Sequence, residues 1–173
     1  MSGSYEAMGV TTMLDLRLSD SRLWHYRAVV TRVIDGDTVE AHIDCGFGNY
    51  RVERLRLARV DAPEMRPRRG TPEQKEAERA VAAESKDRVI ELVQGRECMI
   101  RTYKTGNFGR WIADVHLPDD AVSALGRVAS DEPLKTVNEV LIEEKLAIQY
   151  GGKKPDNWEE YRNQPRPEEA GEA

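Results

Sequence analysis

The sequence predicts an α+β domain in which five β-strands close into a small barrel with helices packed on its outside. Three observations carry that expectation. Residues 26–60 hold three consecutive strand-like segments separated by short turn signals. A long helical stretch with its own start and stop signals follows the third. Two more strand-like segments and a second helical pattern complete the order. At 173 residues the chain suits one compact domain.

Residues 1–22 mix Ser, Gly, Thr and charged side chains without a sustained period and read as a flexible N-terminal arm. The folded domain is expected over 23–154. Tyr26 to Ile34 is valine-rich and reads as the first strand. Asp35-Gly36 is a hairpin signal, glycine being tolerant of the positive φ of tight hairpin turns. Asp37 to Asp44 alternates Val39, Ala41 and Ile43 with polar partners and forms the second strand. Gly46 to Asn49 turns the chain, and Tyr50 to Val60 is the third strand, completing an antiparallel meander.

Ala62-Pro63 ends the sheet, since a residue before proline avoids the helical region. A basic loop, Arg66-Pro67-Arg68-Arg69-Gly70, leads to Thr71-Pro72-Glu73-Gln74. That run opens a helix well, with a Thr cap, Pro in the first turn and an early acid. The helix is predicted to reach about Val93 and to stop at Gly95. Cys98 to Tyr103 and Trp111 to Leu117 are the fourth and fifth strands, joined by a turn over Thr105 to Gly109. No structure is assigned to the polar segment 118–133. Val137, Val140 and Leu141 mark a second helix ending near Leu146, and 155–173 reads as an acidic C-terminal tail. Five strands with helices after the third and fifth match an OB-fold-like barrel.

Composition excludes several classes. Hydrophobic residues make up 39% and charged residues 33%, which is polar for a globular protein but apolar enough to fold. No stretch approaches the roughly 20 apolar residues of a spanning helix, and the first two dozen residues lack the apolar centre of an export signal. Cys45 and Cys98 are isolated thiols rather than a disulfide framework or a zinc motif. A reduced, cytoplasmic protein acting as a monomer, with no membrane partner, is expected. The net charge of −5 lies wholly in the ends: residues 156–173 carry −4, residues 1–22 carry −1, and 23–155 balance at zero. Global charge therefore does not argue against a nucleic-acid partner.

Four short clusters carry the chemistry. Ile34-Asp35-Gly36-Asp37-Thr38 taken alone is best explained as a turn. Val60-Asp61-Ala62-Pro63-Glu64 taken alone is a strand exit. Arg56 amid Leu55 and Leu57 taken alone is a solvated arginine, and Phe108-Gly109-Arg110 is a turn with a charge beyond it. Together they supply the parts of a metal-assisted phosphodiesterase. Asp37 and Asp61 offer hard anionic oxygens suited to Ca²⁺ or Mg²⁺, and the Ala62 carbonyl can ligate without a side chain. Glu64 can orient or deprotonate a water. Arg56 and Arg110 can clamp phosphate oxygens bidentately. His25, His42 and His116 share no motif, which argues against a histidine-metal nuclease.

These motifs, with Val137-Asn138-Glu139-Val140-Leu141, resemble the staphylococcal nuclease (thermonuclease) family over roughly residues 26–150. The resemblance implies a Ca²⁺-dependent phosphodiesterase acting on DNA and/or RNA, breaking the bond to the 5′ oxygen and leaving 3′-phosphate ends. It implies that Asp37, Asp61 and the Ala62 carbonyl bind Ca²⁺, with Asp35 supporting the metal through its water shell. Arg56, Glu64 and Arg110 would be catalytic, and Asn138 structural. The family's usual Thr between Asp and Pro is Ala62 here, and its Lys-Tyr before Gly-Arg is Asn107-Phe108. Arg66, Arg68 and Arg69 are candidates to guide the strand, and Tyr150 lies near a nucleotide-stacking position of the family. Trp24, Trp111 and Trp158 read as packing residues. The competing expectation is a barrel of the same kind that only binds nucleic acid or protein. Three carboxylates beside a phosphate path argue against it, since without a metal they repel the strand.

Overall fold

The computed structural model describes residues 24–105, 110–118 and 135–164. The proposed arm 1–22, the Asn107-Phe108-Gly109 part of one motif, most of the 118–133 segment and the end of the tail lie outside the described residues.

Strands β1 (His25–Asp35), β2 (Thr38–Asp44) and β3 (Tyr50–Leu57) form the expected antiparallel meander. β5 (Glu97–Thr105) and β6 (Trp111–Val115) complete a closed barrel in the order β1-β2-β3-β6-β5, with β3 and β6 parallel. Closure leaves no free strand edge in the barrel. Alternation delivers the core: Val30, Val39, Ala41, Leu55, Ile100, Ala113 and Val115 are fully buried inside. Each Val, Leu or Ile so buried contributes about 1.5–3 kcal/mol.

Helix α1 (Pro72–Val93) begins and ends where the sequence places it. The Thr71 hydroxyl accepts from the Gln74 amide, and the Gln74 side chain accepts from the Thr71 amide, satisfying two otherwise orphaned donors. At its end Gly95 takes φ +73° and donates to the Val30 carbonyl at 2.8 Å, tying helix to barrel. Val81, Ala82, Ser85, Val89 and Val93 form its buried stripe. Helix α2 (Val137–Glu143) starts on a second capping box at Thr136. It ends earlier than the expected Leu146, the chain reversing through Lys145 at φ +56°. Arg88 grips Glu144 with two parallel hydrogen bonds of 2.9 and 2.7 Å, joining α1 to the end of α2.

Four expectations are corrected. The third strand does not run to Val60. It stops at Leu57, Arg59 adopts φ +62°, and Val60–Asp61 form a separate short strand, β4. β4 pairs with another short strand, β7 (Ile148–Gln149), to which alternation is blind. Arg59 is held in its unfavourable conformation by two backbone bonds flanking it. The Ala58 amide donates to Ala113, and the Tyr150 amide donates to the Arg59 carbonyl. Gly36 does not take a positive φ. Glycine is needed there because a Cβ would sit 2.2 Å from Ser85 Oγ, where the turn presses on α1. Within the span read as tail, Trp158–Asn163 form a third helix, α3, whose Trp158 is buried in the core cluster. Trp24, in contrast, is exposed at the start of β1.

Among the described residues, no helix is long and apolar enough to cross a membrane.

Candidate active site

The β1–β2 turn, the end of β3 and the short strand β4 meet at one place. Register puts Thr38 opposite Arg56, so Asp37 lies one residue beyond Arg56 in the turn. Leu55 and Leu57 occupy the barrel interior, which turns Arg56 outward. The left-handed Arg59 swings the chain back, bringing Asp61 to the same spot. Arg56 then spans both acids: Nη1 lies 2.8 Å from Asp37 Oδ2, and Nη2 lies 3.0 Å from Asp61 Oδ1. Asp35 is adjacent, its Oδ1 accepting the Asp37 amide at 3.2 Å. Thr38 Oγ1 donates to Asp37 Oδ1 at 2.8 Å. One guanidinium therefore bridges two carboxylates, and a third, Asp35, lies against Asp37.

Asp37 is buried, and burial pushes its carboxyl from the ordinary 3.8 up to about 6, with Asp35 adding to the rise and Arg56 opposing it. The acid is thus under-compensated by its own surroundings. That is the electrostatic condition a further cation would relieve. Among the described residues, no group of three or more His, Cys, Asp or Glu side chains forms a ready metal cage. The donors on hand are the carboxylates of Asp37 and Asp61 and the carbonyl of buried Ala62, all hard oxygens. Such a set fits calcium, which fills its remaining positions with water.

Glu64 is exposed, and its amide donates to Glu78 Oε1 at 3.0 Å, pinning the loop to α1. Glu64, Arg66, Arg68, Arg69 and Lys154 line a cavity of about 470 Å³ beside the acids. Lys154 links the two parts, its Nζ being 3.1 Å from Asp61 Oδ2. Tyr150 is exposed, with its ring centre 5.8 Å from the Arg56 guanidinium carbon. Arg110 is partly buried and immediately precedes β6, whose Trp111 and Ile112 pair with Leu55 and Arg56. Its backbone therefore sits at the start of the strand next to that of Arg56. Asn138 is buried and donates to the Ala58 carbonyl at 2.9 Å, while its Oδ1 accepts the Val115 amide at 3.3 Å. It clamps the β3–β4 turn that delivers Asp61.

Sequence reasoning missed Lys154, Thr38 and Glu78. Lys154 sits in Gly151-Gly152-Lys153-Lys154, a run whose only visible signal is charge after glycines. Thr38 could have been found as the residue following an acid in a hairpin turn.

The chain matches the family model described as staphylococcal nuclease homologue over residues 54–171, well over half its length. The match contains Arg56, Asp61, Glu64 and Arg110; Asp35 and Asp37 precede it and join the site through the β2–β3 pairing that sets Thr38 opposite Arg56. The chain is also similar to the micrococcal nuclease of Shigella flexneri, at 25% identity over 133 residues. That alignment covers 76% of this chain and 63% of the relative, so the chain spans less than two thirds of that protein's length.

Proposed function

Because the chain belongs to the staphylococcal nuclease family, we propose that it is a Ca²⁺-dependent nuclease hydrolysing phosphodiester bonds of DNA and/or RNA. The observation that carries the reading is Arg56 bridging Asp37 and Asp61, with Asp61 paired in turn to Lys154, which lines a cavity walled by Glu64, Glu78 and three arginines. An arrangement that stores anionic oxygens beside guanidinium groups is suited to gripping a diester once a dication joins it.

Asp37, Asp61 and the Ala62 carbonyl would hold calcium, with Asp35 supporting its water shell. Bound there, the ion would supply positive charge to a phosphate oxygen and polarise a water. Arg56 exchanges part of its hold on the carboxylates for the phosphate oxygens. Glu64 accepts a proton from the attacking water, whose oxygen bonds to phosphorus. Arg110 stabilises the charge that builds as phosphorus becomes five-coordinate. The bond to the 5′ oxygen breaks, that oxygen takes a proton from solvent water, and the other fragment keeps a 3′-phosphate. Arg66, Arg68 and Arg69 guide the flanking strand, and Tyr150 offers a ring for an unpaired base.

The test is digestion of supercoiled plasmid, single-stranded DNA and RNA with Ca²⁺ or with a chelator, followed by end-group analysis. Calcium-dependent cleavage leaving 3′-phosphates is expected. Intact substrate in both conditions together with a gel shift would overturn it in favour of a non-catalytic binding module.

A further inference from the structure

Resting on that reading of the site, we propose that Lys154 is a two-position cation that couples calcium binding to the grip on nucleic-acid phosphates. Both oxygens of Asp61 are already held by side-chain cations: Arg56 at Oδ1, 3.0 Å, and Lys154 at Oδ2, 3.1 Å. A dication reaching Asp61 must compete with at least one of them. Arg56 has a second carboxylate, Asp37, to stay on, whereas Asp61 is the carboxylate that Lys154 engages. Lys154 is the one the ion displaces.

The displaced ammonium has somewhere to go. Its side chain is half exposed and lines the cavity of about 470 Å³ that Arg66, Arg68 and Arg69 also line, together with the carboxylates of Glu64 and Glu78 that can receive an ammonium. Its backbone stays put, because the chain is pinned on both sides. The Tyr150 amide donates to the Arg59 carbonyl at 2.7 Å, and Gln74 Nε2 donates to the Asp156 carbonyl at 3.2 Å. Between those anchors a flexible four-carbon stem pivots. With the ion absent, Lys154 neutralises Asp61. With the ion present, it turns into the cavity and adds a fourth cation to the three arginines. Linkage makes the effect reciprocal: a bound strand that holds Lys154 in the cavity frees Asp61 for calcium.

The experiment uses the full chain carrying Glu64→Gln, so that the strand is not cut. A short single-stranded oligodeoxynucleotide is titrated by fluorescence anisotropy with Ca²⁺ and with a chelator, and Ca²⁺ by calorimetry without the strand. Calcium is expected to tighten oligonucleotide binding by about tenfold. Adding Lys154→Ala should cut that coupling factor by about threefold or more and tighten calcium binding to the strand-free protein, as one competitor for Asp61 is gone. Lys154→Arg, which keeps the charge, should retain most of the coupling, and circular dichroism should match throughout. A lysine that merely contributes positive charge would change both affinities and leave the coupling factor intact; that result overturns the proposal alone. A protein that binds the oligonucleotide but no calcium overturns this proposal and the metal-dependent reading with it.

Discussion

Replacing Asp37 by Asn tests the electrostatics of the site without any assumption about substrate. In the folded protein the Asp37 carboxyl is raised from 3.8 to about 6, chiefly by burial. The folded state therefore holds that proton more tightly than the unfolded chain does. Its contribution to stability is full below about pH 4 and is lost as pH rises to about 6. At 1.36 kcal/mol per pH unit the loss amounts to about 3 kcal/mol. Asparagine cannot ionise, so the variant escapes this loss. Its amide nitrogen can face Arg56 Nη1, which now lies 2.8 Å from Asp37 Oδ2, and that costs a roughly pH-independent amount. The quantity to measure is thus the stability of Asp37→Asn minus that of the parent, by urea unfolding in chelator between pH 4 and 7. It should grow with pH by about 2–3 kcal/mol. Millimolar calcium at pH 7 should stabilise the parent and do little for the variant, because a ligand stabilises only the state that binds it. Parallel stability curves in chelator would refute the claim that a buried, under-compensated carboxylate sits in this turn.

Glu64→Gln or Arg110→Ala should lower turnover by about 10²–10⁴-fold with unchanged circular dichroism; near-normal rates on plasmid DNA would remove that residue from the mechanism. Gly36→Ala brings a methyl to 2.2 Å from Ser85 Oγ and should cost about 1–3 kcal/mol by thermal or urea melts. Part of that loss should return when Ser85→Gly is added. Trp158→Ala should cost about 3–5 kcal/mol, since the ring is buried in the core cluster. A melting temperature unmoved by that change would mean that α3 adds nothing to the fold.

Much of this protein follows from short-range rules. Alternation of Val39, Ala41 and Ile43, or of Leu55 and Leu57 around Arg56, fixes which side chains enter the barrel, because successive side chains of a strand point to opposite faces. The capping box at Thr71 and the left-handed Gly95 set the limits of α1 for equally local reasons. The chemical types of the site, acids at 35, 37, 61 and 64 with arginine at 56, are visible in the same way. The tertiary structure decided what no period or cap encodes. The left-handed Arg59, the β4–β7 pairing and the Asn138 clamp depend on partners from 23 to 91 residues away, and only they carry Asp61 to Arg56. Gly36 is glycine because a helix presses on its turn, not because of its own φ. Lys154 reaches Asp61 across 93 residues of sequence through the return of the chain after α2. Such contacts exist only once the barrel has closed, because strand register and helix docking set them and the local conformational preferences of each segment do not.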